Sequence, residues 1–431
     1  KEQGEEEHII YSWKQLIEDG KNAIALGDRQ FIDAEVLGTD PAVILYTSGT
    51  TGFAKGVVLT HRNIVDDLMM APTILNVNPE DIFFSVLPVH HTYECTCAFL
   101  MPLYKGASIA FCEGLKYITK NLQEIRPTML LGVPVLIETL YKKIWKTAKS
   151  EGKDKKLEKL MKLNKKTKKL NINIAKKLAK DILDVFGGRM RVLISGGAAI
   201  DPKILQFFND LGIIAVQGYG LTECSPMTAL NPDVEKDMKN ESVGHLLPGM
   251  KVKIVDADEE GIGEICFKGP NVMLGYYNNQ EATDEVLKDG WFHTGDLGRV
   301  DTDSFIYITG RKKNVIITEN GKNVFPEELE YELSHIPYIA ESMVWGDNEG
   351  EGVNSTTIAA TVTLDDDEVK EALGEEYTDE QAQNLVWGEI DKINERLPLF
   401  KKIKKLNIRK TDFNKTTGMK IKRFVESNKD A

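Results

Sequence analysis

The sequence predicts an α/β protein built on a mostly parallel sheet, with a small β-rich part and then a smaller α+β C-terminal domain. Three observations predict it. From Ala42 to about Gly220, short apolar runs alternate with helical stretches: IFFSVLP, ASIAF, MLLGVP, MRVLISGG and GIIAVQGYG. Such alternation marks parallel strands covered by helices. Between about Val243 and Tyr307 the texture changes to short strands broken by glycine, in KVKIVDADEEGIGEICFKG and WFHTGDLGRVDTDSFIYITG, which favours a β-rich subdomain. After Gly310 the chain turns charged and then alternates again from NVFPEELEYELSHI to its end. The boundaries expected are a first domain over 1–310, a connection at 311–313 and a second domain over 314–431.

Taken in order, Tyr11 to Leu26 reads as one amphipathic helix, followed by an irregular approach to the first strand. Next comes YTSGTTGFAKG, Tyr46 to Gly56, with AVIL before it and VVLTH after it. Those flanks are apolar and β-branched, so the loop joins two strands. Glycine-freed N–H groups, hydroxyls and one lysine together suit a multiply charged anion such as phosphate. The GxxxxGK[ST] pattern of nucleotide-hydrolysing loops does not fit, because Phe53 and Ala54 separate Gly52 from Lys55. An ordinary hairpin turn is the plain alternative.

Composition narrows the class. At 431 residues the chain has ample length for more than one core. No apolar run reaches membrane-spanning length and no signal peptide is evident, so a soluble, cytoplasmic protein is expected. The first residue is lysine, so the natural start is expected to lie elsewhere. Five cysteines, odd in number and irregularly placed, argue against a disulfide framework, and Cys95-Thr-Cys97 lacks partners at zinc spacing. Buried thiols are expected.

The net charge of −12 conceals sixteen lysines between Lys142 and Lys180. Leu157, Leu160, Met161, Leu163 and Leu170 recur within that tract at helical intervals, which predicts two exposed amphipathic helices. A solvated lysine face accounts for them, and attraction to anionic lipid is the sharper reading. Nucleic acid is excluded as a partner on the absence of aromatic residues between Lys146 and Lys180 on which bases could stack. Near the C-terminal part, Asp365 to Glu368 with Glu375 and Glu376 reads as a solvated linker and helix start.

Four further stretches belong with the loop. SGGAAID, Ser195 to Asp201, ends a strand in glycines that let the backbone approach a flat ligand. QGYGLTECSP, Gln217 to Pro226, offers an aromatic face in Tyr219, a hydroxyl in Thr222 and a carboxylate in Glu223 at another strand end, where open α/β sheets bind ligands. GWFHTGDLG, Gly290 to Gly298, contains Asp296, a carboxylate suited to a sugar diol. ITGRKKNVIITENGKNVFPEELE places Arg311 beside the boundary. Singly each has a structural alternative: a turn, a core tyrosine or a helix-start carboxylate.

In this order the five motifs closely resemble the adenylate-forming superfamily of acyl-CoA synthetases, luciferases and adenylation domains, over nearly the whole chain from Tyr11. LPVHHTYECT, Leu87 to Thr96, with the lysine-rich insertion and NGKNVFPEELE, looks most like the bacterial long-chain fatty acyl-CoA synthetases. The resemblance implies an ATP-dependent ligase that joins a fatty acid to AMP with release of pyrophosphate, then passes the acyl group to the thiol of coenzyme A. It implies that Thr47, Ser48, Thr50, Thr51 and Lys55 hold the β- and γ-phosphates and that Glu223 binds Mg²⁺. Thr222 is implied at the α-phosphate, Tyr219 with the Gly197 and Ala198 backbone at adenine, and Asp296 with Arg311 at the ribose.

Near the C-terminus, FNKTTGMKIKR holds the expected catalytic lysine. Met419 stands between Gly418 and Lys420, a departure from the family's form. Lys420 is preferred by its relation to Ile421 and Arg423, with Lys415 and Lys422 as alternatives, and its loss is expected to cost on the order of 10² to 10³ in rate. Lys313 matches the hinge of a rotating C-terminal lid that carries the Gly321 loop to the thiol tunnel. His91, beside His90, is expected at the acyl pocket as a gate or substrate contact rather than as a core histidine. Relatives carry a longer stretch before the phosphate loop, so a fragment of a longer enzyme with reduced activity is expected. The alternatives are an aryl, short-chain or medium-chain ligase, transfer to a carrier protein, and a non-catalytic nucleotide- or lipid-binding relative. An amino-acid adenylation domain lacks support, because Leu87 to Thr96 contains no aspartate to hold a substrate amine.

Overall fold

The computed structural model describes residues 11–47, 54–167, 184–318, 322–347, 356–415 and 421–430. Contacts divide the chain into two compact units, 1–40 and 41–431. In the first, helix α1 (Trp13–Ala25) starts where the Ser12 hydroxyl accepts the Gln15 amide at 3.1 Å, an N-cap. The helix expected over Tyr11 to Leu26 is present, and none of its residues is buried.

The second unit opens on a hairpin. Strands β1 (Pro41–Thr47) and β2 (Lys55–Thr60) pair antiparallel with Thr47 opposite Lys55, as the apolar flanks predict. Helix α2 (His61–Met70) follows without a break. Its Thr60 cap is reciprocal: Asn63 N–H donates to the Thr60 hydroxyl while Thr60 N–H donates to Asn63 Oδ1.

The five apolar runs read from the sequence form β3 (Ile82–Ser85), β4 (Ser108–Phe111), β5 (Met129–Gly132), β6 (Val192–Ser195) and β7 (Ile214–Gly220). With β8 (Met227–Leu230) and β9 (His245–Leu246) they make a seven-stranded sheet in the order β4-β3-β5-β6-β7-β8-β9. The first five strands run parallel and the last two antiparallel. Period-2 alternation explains why these runs are apolar throughout: Phe84, Leu130, Leu193 and Ala215 face one core, while Phe83, Met129, Leu131, Ile194 and Val216 face another.

The short helix α3 (Met101–Lys105) packs in the second core, and the first is closed by α4 (Ile118–Ile125), α5 (Pro134–Ser150), α6 (Asp154–Thr167) and α7 (Pro202–Leu211). In the lysine tract, Leu157 and Leu160 are buried while Lys155, Lys156, Lys159 and Lys162 are exposed. The described part of the tract, to Lys162, is therefore amphipathic as expected. Its first helix begins earlier, at Pro134, and Leu170 lies outside the described residues.

The β-rich part differs in its partition. Strands β10 (Lys251–Val255), β11 (Gly263–Lys268), β13 (Leu287–Lys288), β14 (Trp291–Val300) and β15 (Ile306–Arg311) form one sheet. The two-residue β9 belongs to the large sheet, and the equally short β12 (Gly275–Tyr276) pairs with β2 of the hairpin. Segments this short carry no periodicity of their own, so distant neighbours decide their pairing. Helix α8 (Gln280–Val286) follows β12, capped by Asn279.

Beyond Arg311, β16 (Ile316–Ile317) pairs with β17 (Asn323–Val324). Helices α9 (Pro326–Leu333) and α11 (Asp379–Arg396) pack with β18 (Ile339–Asp347), β19 (Thr357–Leu364) and β20 (Lys405–Ile408) around a separate core of Val344, Ile358, Val362, Val386 and Ile390. The acidic stretch near Asp365 starts α10 (Asp366–Leu373), which Asp365 caps. Cys97, Cys224 and Cys266 are buried; Cys95 and Cys112 are half-buried, and all five are free.

One buried cluster ties α2 to the segment Pro270–Val272 and to the start of β8. Asn63 on α2 donates to the carbonyls of Pro270 at 2.6 Å and Val272 at 2.9 Å. One turn on, Asp67 accepts from Asn271 Nδ2 at 2.9 Å and from Met227 N–H at 3.4 Å. Burial pushes the Asp67 carboxyl up to about 8, against the hydrogen bonds that favour its anion. The folded state thus holds this proton more tightly than the unfolded chain does. Stability from this group is complete below the ordinary aspartate range and declines as pH rises towards about 8. Asp67→Asn should flatten that decline in chemical denaturation followed from pH 4 to 8; parallel losses in both proteins would refute the account.

Candidate active site

The hairpin, the ends of β6 and β7, and the β14–β15 pair supply the predicted residues. Thr47 and Lys55 face each other at the mouth of the hairpin, and the Thr47 hydroxyl lies 3.4 Å from the Lys55 carbonyl. Ser48, Thr50 and Thr51 lie outside the described residues, as do Gly321 and Lys420.

At the end of β6, Gly197 has φ +85° and is exposed with Ala198. Gly196 lies flat on the Tyr93 ring: a Cβ there would stand 2.9 Å from Tyr93 Cζ. The Tyr93 hydroxyl donates to the Ile194 carbonyl at 3.1 Å, so the strand end rests on an aromatic floor. Tyr93 begins a wide π-type helix over Tyr93–Leu100, a form frequent at functional sites.

Within that helix Glu94 is buried. The Ser85 hydroxyl donates to its Oε1, while Oε2 has no hydrogen-bond partner. Burial raises its carboxyl to about 7. His90 and His91 precede it and are exposed, so neither is a core histidine. His91 Nδ1 accepts the Tyr93 amide at 3.2 Å and stabilises the turn into the helix.

Beyond β7, Thr222 to Cys224 make one 3₁₀ turn that holds Thr222 and Glu223 half-buried, with Cys224 fully buried below them. The Glu223 carbonyl accepts Met273 N–H at 2.8 Å. Its side-chain Oε1 accepts the Tyr276 hydroxyl at 2.9 Å. The Tyr276 ring lies under Lys55, with Nζ 4.9 Å from its centroid. The structure thus joins the hairpin lysine to the strand-end carboxylate through Tyr276.

Asp296 and Arg311 sit opposite each other in the β14–β15 register. Arg311 Nε meets Asp296 Oδ1 at 2.8 Å, and the Tyr219 hydroxyl donates to Asp296 Oδ2. Tyr219 therefore joins the ribose pair expected from the sequence, and its phenol is pushed well up, first by burial and then by the Asp296 charge. For Arg311, burial works to lower the pKa, but Asp296, Tyr219, Glu223 and Glu327 together raise it. Arg311 is thus paired with Asp296, and the more distant charge of Glu223 adds to its upward shift.

Tyr276 and Glu264 escaped the sequence reading. Glu264 Oε1 accepts Gly295 N–H at 3.1 Å, and its Oε2 meets Lys312 Nζ at 3.0 Å and His293 Nδ1 at 3.4 Å. Burial raises its pKa, but Lys312 and His293 outweigh burial and lower it overall. The GYY and GEI stretches that carry these residues look like ordinary strand sequence, and only the long-range pairing reveals them. Lys313 is exposed in the turn after Arg311. Of the alternatives to Lys420, Lys415 pairs with Glu341 at 2.6 Å and Lys422 is half-buried.

Among the described residues no group of three or more His, Cys, Asp or Glu side chains converges as a metal cage. A single carboxylate, Glu223, with phosphate oxygens suits Mg²⁺, which keeps much of its water and rarely needs an all-protein site.

The profile of the AMP-binding enzyme family matches residues 2–277, and the chain belongs to that family. By class it is an AMP-forming acid–thiol ligase. Among its relatives, the long-chain-fatty-acid–CoA ligase FadD15 of Mycobacterium tuberculosis is 30% identical, over 92% of this chain and 69% of that protein. Fatty acyl-CoA synthetase A of Dictyostelium discoideum is 34% identical, over 72% of this chain and 49% of that protein. The ATP-bound MatB structure from Rhodopseudomonas palustris superposes with a TM-score of 0.70 at 27% identity, covering 95% of this chain and 72% of that one. The fold is shared with MenE of Bacillus subtilis in complex with ATP and magnesium, at a TM-score of 0.69, 23% identity, 91% of this chain and 71% of that one.

Asp296→Asn keeps the size of the side chain and removes the charge that Arg311 and Tyr219 share. Losing one charge-assisted contact of about 1.5–3 kcal/mol should weaken AMP binding roughly tenfold to a hundredfold in a calorimetric titration. Unchanged affinity would remove Asp296 from the nucleotide site.

Proposed function

We propose that the acid activated is a long-chain fatty acid and that coenzyme A is its acceptor. The observation that supports the ligase chemistry is the Lys55–Tyr276–Glu223 group, which sets a cation and a carboxylate against one tyrosine, with Tyr219–Asp296–Arg311 as a second polar group. The names of the relatives supply the chain length.

In the first half-reaction a carboxylate oxygen bonds to the α-phosphorus of ATP. The bond from that phosphorus to the bridging oxygen breaks, and pyrophosphate leaves with the electron pair. Two anions must meet, so the protein's contribution is mostly electrostatic. Lys55 with Thr47 and the following hydroxyls meets the leaving phosphates, Thr222 the α-phosphate, and Lys420 the reacting pair. Asp296 and Arg311 fix the ribose, while Gly197, Ala198 and Tyr219 border the adenine. Glu223 would hold Mg²⁺, which when bound would supply positive charge against the phosphates. In the second half-reaction the thiol sulfur bonds to the acyl carbon, AMP leaves and the thiol proton passes to solvent.

The C-terminal part over 314–431 acts as a lid that turns about Lys313. Its separate core supports this, as does its polar contact with the rest of the chain: Tyr331 and His335 both meet Asp201, at 3.2 and 2.9 Å. Removal of Lys420 and approach of the Gly321 loop would then separate the two half-reactions. His91 borders the acyl entrance.

Pyrophosphate exchange measured across acids of increasing length should rise towards long chains. Exchange that depends on amino acids or aryl acids would overturn the substrate, and none with any acid would favour a binding-only protein.

The exposed lysines of α5 and α6 form a peripheral contact with anionic lipid. This reading rests on the two-sided pattern, with Leu157 and Leu160 buried and Lys155, Lys156, Lys159 and Lys162 exposed. Among the described residues no helix is long and apolar enough to cross a membrane. At about 1 kcal/mol per lysine, changing these four to glutamate should lower binding to anionic liposomes on the order of a hundredfold or more. Equal binding to neutral liposomes would leave a solvated face.

A further inference from the structure

The segment Met273 to Tyr277 is sewn to both halves of the phosphate-facing site. Its backbone bonds Glu223 through Met273 N–H at 2.8 Å, Val58 through Leu274 N–H at 3.0 Å, and Gly56 through Tyr277 N–H at 2.7 Å. Gly56 is what admits it: a Cβ there would lie 3.0 Å from Ile44, 3.2 Å from Tyr46 and 3.3 Å from Tyr277. Tyr276 N–H is tied in turn to the Thr283 hydroxyl at 2.9 Å on α8. Tyr276 is thus held at its backbone from two sides, with its side chain directed between Lys55 and Glu223.

From this placement we propose that Tyr276 is a positioning residue of the ligase, whose hydroxyl orients the Glu223 carboxylate for a cation and whose ring face holds Lys55 for phosphate. The proposal rests on the roles given above to Glu223 and Lys55. A phenol suits the task better than a lysine or arginine. A phenol is a neutral donor at ordinary pH and donates to Glu223 Oε1 at 2.9 Å. It fixes Glu223 Oε1 in direction and leaves the carboxylate its full charge. The opposite use of the ring, as a cation–π partner, holds Lys55 Nζ without supplying a counter-anion that a polyphosphate would have to displace. One side chain thereby sets the spacing between the two positive charges, lysine and metal, that the phosphate chain must bridge.

The two functions separate by substitution. Tyr276→Phe keeps the ring and loses the hydroxyl, whereas Tyr276→Leu loses both. ATP binding is measured by calorimetry with Mg²⁺ varied from none to saturation, with Glu223→Gln and Lys55→Ala in parallel. Tyr276→Phe should bind metal-free ATP as the parent does and need roughly tenfold more Mg²⁺ to reach half of the full enhancement, the usual cost of losing a partner of a metal ligand. Tyr276→Leu should in addition bind metal-free ATP about three- to tenfold more weakly. If Tyr276→Leu does not fold by circular dichroism, the Phe variant still decides the proposal. A Mg²⁺ midpoint unchanged in Tyr276→Phe but shifted in Glu223→Gln overturns the role of Tyr276 alone. A midpoint unchanged in Glu223→Gln overturns both this proposal and the assignment of Glu223 to the metal. Metal-free ATP binding unchanged in Lys55→Ala overturns the ring-face role and the phosphate role of Lys55 together.

Discussion

The placement of the site's residues depends on the buried polar contacts that α2 makes through Asn63 and Asp67. Asn63 takes the carbonyls of Pro270 and Val272, while Asp67 takes Asn271 and Met227, so one helix face grips the chain before Tyr276 and the strand after Glu223. The same helix is continuous with β2 and so with Lys55. Apolar packing alone would hold these segments together without fixing their register. Hydrogen bonds in a dry interior are directional, and each misplacement leaves a buried polar group unpaired. The clamp is thus the reason that a hairpin lysine, a strand-end carboxylate and a distant tyrosine share one site.

Charge in that site is arranged in a graded way. Asp296 is buried but has both oxygens engaged, by Arg311 and Tyr219, so its charge is compensated in place. Glu223 is half-buried and carries one neutral donor, which keeps its charge available to a cation. Glu94 and Asp67 lie deeper and keep their protons up to about 7 and about 8.

Much of this was legible in the sequence. The parallel strands read as apolar runs because the central ones, β3, β5, β6 and β7, have a core on both faces, and Thr47, Lys55, Glu223, Asp296 and Arg311 stood in motifs whose chemistry suited phosphate, metal and sugar. What escaped were the contacts made across long stretches of chain. Tyr276 meets Glu223 across 53 residues and Glu264 meets Lys312 across 48, through strands too short or too ordinary to announce their partners. Tyr219 was read as an aromatic face alone, because only the fold brings its hydroxyl to Asp296. The two-residue β9 and β12 left the β-rich region for the same reason, since their neighbours chose their sheets.

Glu264 has a mechanical meaning. One of its oxygens holds the amide of Gly295, next to Asp296, and the other holds Lys312, next to Lys313. The sugar-facing loop and the start of the connection to the C-terminal part therefore share a single anchor point. Lys312 is more than half exposed in this pair, so the bond is worth about 0–1 kcal/mol, and the amide contact on the other oxygen survives its release. If the C-terminal part turns about Lys313 as proposed, an anchor of that strength would act as a detent: it would give the connecting turn a preferred resting angle and yield to a modest torque, while the nucleotide-facing loop kept its place.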